Sequence, residues 1–339
     1  MKKQEIADIK SLLSTPKKIV IVPHKNPDGD AIGSTLGLYF YLLKYQHEAQ
    51  VIAPNDYPDF LKWMPNEDSV LKYDTQKEES DKLINQADII FTLDFNALNR
   101  TGDMETVLAS TESIKIMIDH HQQPEDYALY TYSDVSMSST CEMVYNFIDM
   151  LGDINKVDAN IATCLYTGIM TDTGSFRYPS TTATTHKVIA DLIEKGAQNA
   201  QIHNAIYDTN SYSRLQLLGC ALSNLKVLPE YRTAYITLSQ QELNDFQYKK
   251  GDTEGFVNYA LSLHNIIFAA IFIEDQQQNI IKISLRSKGD FSVNEFSRAH
   301  FSGGGHTNAA GGRSESSLEV TIENFISILP SYKNILKNE

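Results

Sequence analysis

A chain of 339 residues exceeds what one ordinary core accommodates and sets an expectation of two domains. Its formal net charge of −14 argues against tracking long nucleic acid, which needs a basic stripe to neutralise phosphates. Cys141, Cys164 and Cys220 are scattered and form no C-x-x-C pair, and no apolar run suits a signal peptide or membrane span; a soluble cytoplasmic protein without disulfides or a membrane partner is expected.

Residues 18–23 are a β-branched run and residues 31–45 carry apolar side chains at helical spacing, which predicts strand, loop and helix. The loop is His24-Lys25-Asn26-Pro27-Asp28-Gly29-Asp30, where proline and glycine force a turn and Asp28 and Asp30 address neighbouring positions. Residues 88–93 form a second predicted strand ending at Asp94, and residues 114–118 a third ending at Asp119-His120-His121. Residues 139–151 and 157–171 read as helices, the second running into Thr171-Asp172-Thr173-Gly174. In an open parallel sheet ligands bind beyond the carboxyl ends of the strands, so these groups can converge there.

Further on, residues 184–195 read as a helix closed by Gly196, and residues 215–227 as a helical connector, with the domain boundary near residues 202–229. Residues 232–238 are strand-like, and residues 266–273 and 280–285 flank a polar turn as a hairpin. Between Lys282 and Arg313 five basic residues face two acidic ones, and Gly303-Gly304-Gly305-His306-Thr307-Asn308-Ala309-Ala310-Gly311-Gly312 is a small-residue stretch through which backbone N–H groups can approach an anion. Such a run also suits a plain loop joining a helix to a strand.

Each acidic motif alone has an ordinary structural reading: D-x-D as a turn, Asp94 as an N-cap, Asp172 as the cap of its turn. Their coincidence at several element ends points instead to one site. A mixed carboxylate and imidazole set without thiolate suits two divalent cations, manganese above all, with magnesium or cobalt as alternatives.

In order along the chain, His24 with Asp28-Gly29-Asp30-Ala31, Leu93-Asp94 with Arg100, Asp119-His120-His121, and Thr171-Asp172-Thr173-Gly174-Ser175-Phe176-Arg177-Tyr178 resemble the motifs of DHH-family phosphoesterases, and among these the bacterial nanoRNase/pAp-phosphatase group. Residues 303–312 resemble the glycine-histidine signature of the DHH-associated domain, and Leu285-Arg286-Ser287 its nucleotide-contacting segment. The resemblance implies an α/β fold: a parallel-sheet metal domain at 1–200, a helical linker at 201–229 and a smaller α/β substrate domain at 230–339, with the active site in the cleft between them. It implies that His24, Asp28 and Asp94 hold one cation and Asp30, Asp94, His120 and Asp172 the other. Asp119 would steady a metal-bound imidazole, and His121 would face the substrate.

Arg100, Arg286, Ser287, Gly304, Gly305, His306 and Asn308 would contact substrate, and Arg177 either phosphate or a salt-bridge partner. The implied reaction is in-line attack of hydroxide on phosphorus in oligoribonucleotides of about two to five nucleotides and in 3′-phosphoadenosine 5′-phosphate (pAp). Partners are then short oligoribonucleotides or mononucleotide bisphosphates rather than long duplexes, and a homodimer is compatible. A cyclic or linear dinucleotide phosphodiesterase, a polyphosphate hydrolase and a silent nucleotide sensor are the alternatives. Two departures from the family pattern, Phe95 and Ser302, bear on substrate preference, Phe95 by crowding the metals or by offering a stacking face.

Overall fold

The computed structural model describes residues 1–337, which form two compact units divided between Thr209 and Asn210. The first unit contains, in chain order, α1 (Lys3–Leu12), β1 (Lys18–Val22), α2 (Gly29–Leu43), β2 (Glu48–Ala53), β3 (Leu71–Lys72), α3 (Lys77–Gln86) and β4 (Ile89–Leu93). It continues with α4 (Glu105–Ser110), β5 (Ile114–Asp119), β6 (Tyr130–Ser133), α5 (Thr140–Met150), α6 (Ala159–Asp172), α7 (Ala183–Glu194) and α8 (Asn199–Tyr207). Its six strands are all parallel, in the order β3-β2-β1-β4-β5-β6.

Side chains alternate across a strand, and both faces here are covered. Ile19 and Ile21 of β1 join one core with Ile32, Leu36, Phe147 and Ile169, while Val20 and Val22 join another with Ile84, Ile90 and Leu108. The strand order reverses between β1 and β4, so the crevice beyond their carboxyl ends is the topological switch point.

Helices α2 and α6 cross at very short range because α2 carries glycine every fourth residue on that side. A Cβ at Gly29 would lie 2.4 Å from Thr171 Oγ1, one at Gly33 2.6 Å from the Cys164 carbonyl, and one at Gly37 2.6 Å from Leu165 Cδ2. This antiparallel contact brings Asp30, in the first turn of α2, level with Asp172, the last residue of α6.

The second unit comprises α9 (Tyr212–Ser223), β7 (Lys226–Leu228), β8 (Thr233–Leu238), α10 (Gln240–Asp245), α11 (Phe256–Leu261), β9 (Phe268–Asp275) and β10 (Ile280–Ser287). It closes with α12 (Val293–His300), β11 (Gly304–His306), β12 (Ala309–Ser314), α13 (Leu318–Ile328) and α14 (Lys333–Lys337). Its six strands run β11-β12-β10-β9-β8-β7, antiparallel except for the β8–β9 pair. Phe268 and Phe272 pack one face against Phe296 and Phe325, while Ala269 and Ile271 pack the other against Leu217 and Phe256.

One expectation needs correction. Residues 226–227, expected as the end of a helix, belong to strand β7 paired with β8, because α9 stops at an Asn224 cap. Of the two readings of the glycine run, the plain loop does not hold: β11 and β12 pair there as a hairpin.

Candidate functional site

Each acidic or imidazole group of the first unit sits where a strand or helix ends. β1 runs out into His24, and the following loop closes with Asp28 as N-cap of α2, its Oδ1 accepting from the amides of Asp30 and Ala31 at 3.0 and 3.1 Å. The ordinary cap reading is therefore true of Asp28, yet only one of its oxygens is used; Oδ2 faces His24 Nε2 at 3.9 Å. Asp94 follows β4 with a left-handed φ of 66°, a conformation costing of order 1–3 kcal/mol in a non-glycine residue and one that clusters at functional sites. Its amide donates to the Ile118 carbonyl at 3.1 Å, tying the bend to β5.

Three ligand groups meet within the first unit. His24, Asp28 and Asp94 offer atoms within 4.8 Å of one another, as do Asp30, His120 and Asp172, and as do Asp94, Asp119 and His121. Asp94 stands between the first two groups: Oδ2 is 3.5 Å from His24 Nε2 and Oδ1 is 3.5 Å from His120 Nε2. His120 Nε2 also lies 3.8 Å from Asp30 Oδ2 and 3.7 Å from Asp172 Oδ2. Both imidazoles are oriented from behind, Nδ1–H of His24 donating to the Lys25 carbonyl at 2.9 Å and that of His120 to the Met137 carbonyl at 3.3 Å. With Nδ1–H so engaged, loss of the other ring proton bares an inward-facing Nε2 lone pair, as in metal-binding histidines.

His121 is held differently. Its Nδ1–H donates to Asp119 Oδ1 at 2.7 Å, and Asp119 is fully buried with Oδ2 lacking any hydrogen-bond partner. Asp119, expected to steady a metal-bound imidazole, thus pairs with the histidine expected to face substrate.

The electrostatics fit cations. The ion-pair partners of Asp28, Asp30, Asp94, Asp119 and Asp172 are imidazoles; among the described residues no lysine or arginine pairs with them. Burial pushes Asp30 well above the usual carboxylate range, and the charges of Asp94 and Asp172 add to it. Asp172 is pushed up to about 6, by burial first, with His120 opposing and Asp28 and Asp94 reinforcing. Asp94 goes the other way: burial opposes its charge, but hydrogen bonds from His120 and His24 hold it well below the ordinary value. Burial would lower both histidines, yet hydrogen bonding to Asp94 and the surrounding carboxylates raise His24 and raise His120 well above normal. The cage collects protons where it lacks other positive charge, which is what a site for divalent cations must do. The oxygen and imidazole donors fit divalent cations.

A group not legible from the motifs completes the cage. Thr140 and Cys141, the first two residues of α5, donate their amides to Asp30 Oδ2 and Oδ1 at 2.6 and 2.8 Å. The Thr140 hydroxyl donates to Asp94 Oδ1 at 2.9 Å. Ser139 and Glu142, spaced as a capping pair, mark this helix start in sequence and with it a set of free amides that seek an anion.

Arg100 is half-buried and near enough for its charge to oppose that of His24. Arg177 makes no salt bridge among the described residues; its Nε donates to the Gly174 carbonyl at 2.8 Å, in a bend where Gly174, Ser175 and Phe176 all have positive φ. Phe95 is fully buried and stacks on Tyr127, so neither its face nor its edge is offered to a base. Ser302 has a φ of 47°, which explains why glycine suits that position.

In the second unit, Arg286 of β10 and His306 of β11 lie in one row on either side of Ala309, and residues opposite one another project to the same face. Gly304 is not demanded by packing, since a Cβ there would meet only Asn294 and Arg298 at 3.5–3.7 Å; Gly305, with φ of 149°, is. Its amide donates to Asn294 Oδ1 at 3.2 Å. The Ser287 hydroxyl donates to the Phe291 carbonyl at 2.6 Å and accepts from Asn308 Nδ2 at 2.9 Å, which also donates to the Gly289 carbonyl at 2.9 Å.

Comparison with known proteins agrees with this division. Residues 18–169 match the model of the DHH family, N-terminal domain, and residues 232–335 that of the DHHA1 domain. The bifunctional oligoribonuclease and PAP phosphatase NrnA of Thermus thermophilus is 31% identical over 90% of this chain and 86% of its own length. The crystal structure of an exopolyphosphatase-related protein from Bacteroides fragilis is 44% identical, covers 99% of this chain and 98% of that one, and superposes with a TM-score of 0.95. RecJ from Thermus thermophilus, solved in complex with Mn2+, shares the fold at 13% identity and a TM-score of 0.57, covering 98% of this chain and 54% of that one.

Proposed function

We propose, from the premise that this chain belongs to the DHH family, that it hydrolyses oligoribonucleotides of about two to five nucleotides and removes the 3′-phosphate of pAp, using two divalent cations. The observation that carries this reading is the single carboxylate Asp94 set between His24–Asp28 and Asp30–His120–Asp172, in a chain alignable over 90% of its length with an oligoribonuclease and PAP phosphatase. Manganese is the metal this reading favours, since the donors mix carboxylate oxygen with imidazole and include no thiolate. Bound there, such ions neutralise phosphate charge and activate water.

The protein's own groups do the rest. His24, Asp28, Asp30, His120 and Asp172 would hold the cations, with Asp94 contributing an oxygen to each. Asp119 fixes the ring of His121 through Nδ1, so that Nε2 can deliver a proton to the leaving oxygen. Arg100 holds a phosphate oxygen. Arg286, Ser287, His306, Asn308 and the backbone at Gly304 and Gly305 hold the nucleotide end, with the hydrogen bond between Asn308 and Ser287 also keeping that turn in shape.

A panel of pAp, RNA of two to five and of twenty nucleotides, linear and cyclic dinucleotides and polyphosphate, with Mn2+, tests the assignment by kcat/KM. Short RNA and pAp leading the ranking supports it. Equal rates on two- and twenty-residue RNA sink it. Polyphosphate ahead of all nucleotides would favour the second reading, to which the Bacteroides fragilis protein's name points.

A further inference from the structure

We propose that Thr140 is a positioning residue that fixes which oxygen of Asp94 faces each cation; the inference rests on the two-cation reading above. A carboxylate at the end of a short side chain turns readily about its last bond, and one that serves two cations must not. Asp94 has a left-handed backbone and lies 3.5 Å from each flanking imidazole. The Thr140 hydroxyl reaches it at 2.9 Å and touches Oδ1 alone, the oxygen that faces His120 Nε2. Oδ2 is thereby turned toward His24 Nε2.

Thr140 is itself clamped. It is fully buried at the first position of α5, and its amide donates to Asp30 Oδ2 at 2.6 Å. The β-branch leaves its hydroxyl few rotamers, so O–H and N–H address Asp94 and Asp30 from one rigid residue. This coupling sets the spacing of the two carboxylates that the Asp30 side of the site uses, with no direct contact between Thr140 and a cation required.

The test is Thr140→Val, which keeps shape and amide and deletes only the hydroxyl, beside Thr140→Ser, which keeps the hydroxyl. Calorimetric titration with Mn2+ should show two ions in the wild type and a ten- to hundredfold weaker second ion in the valine variant, the range for a lost partner behind a metal ligand. The spin-coupled electron paramagnetic resonance signal of the manganese pair should fade in valine and return in serine, and kcat should fall more than KM rises. Two ions bound by Thr140→Val with wild-type affinities and coupling overturn the proposal, whether or not its melting temperature falls. A wild type that binds fewer than two ions overturns the two-cation reading first and this assignment with it.

Discussion

Replacing Asp119 by asparagine tests the division of labour between the two adjacent histidines. The substitution conserves volume, and the amide oxygen can still accept from His121 Nδ1, so what is lost is the charge behind a 2.7 Å hydrogen bond in a fully buried setting. Hydrogen bonds to charged groups contribute about 1.5–3 kcal/mol and neutral ones about 0.5–1.5 kcal/mol, so about 1–1.5 kcal/mol is lost, and at about 1.4 kcal/mol per decade kcat should fall roughly five- to twelvefold. The new Nδ2 occupies the place of Oδ2, which already lacks a partner, so no hydrogen bond is lost there. Phosphate release from pAp measured alongside Mn2+ titration separates the outcomes: kcat falls while two ions still bind. Because Asp119 also stands in a group with Asp94 and His121, loss of an ion would make it a ligand and refute the dyad, as would a kcat within threefold of wild type.

Asp94→Ala should abolish binding of the cation pair and leave less than about a thousandth of wild-type kcat, whereas His121→Ala should keep both ions and lose turnover; calorimetry with pAp kinetics checks both. The Mn2+-induced rise in melting temperature should shrink between pH 7.5 and 5.5. Asp172 at about 6, and Asp30, His24 and His120, all raised, give the metal-free fold stability on acidification and lose it as pH rises through their folded values, while binding must expel those protons. A rise independent of pH over that window would contradict the cage. Gly33→Ala places a Cβ 2.6 Å from the Cys164 carbonyl and should cost about 1–3 kcal/mol by thermal unfolding, with activity lost as Asp30 shifts. Arg286→Ala should raise KM on dinucleotide RNA tenfold or more at nearly unchanged kcat, while Ser287→Ala should lower melting temperature first.

Much of the first unit was legible because its chemistry falls where local pattern changes. β-branched runs end at His24, Asp94 and Asp119, and a parallel sheet gathers strand ends whatever their separation along the chain. What stayed hidden depends on contacts between elements. Thr140 reads only as a residue after a helix cap; its role exists because α5 points its first turn at Asp30. Phe95 reads as a group crowding the metals or as a stacking face until its burial against Tyr127 is seen, and nothing in the sequence signals that the Ser287 hydroxyl also donates to the Phe291 carbonyl. Residues 226–228 continue an apolar periodicity that a three-residue strand also satisfies.

The most direct test is anomalous diffraction from crystals soaked in Mn2+. Two peaks about 3.5–4 Å apart are expected, one touched by His24 and Asp28, the other by Asp30, His120 and Asp172, each bound by an oxygen of Asp94. A single peak, or a peak held by Asp119 and His121, would contradict the account.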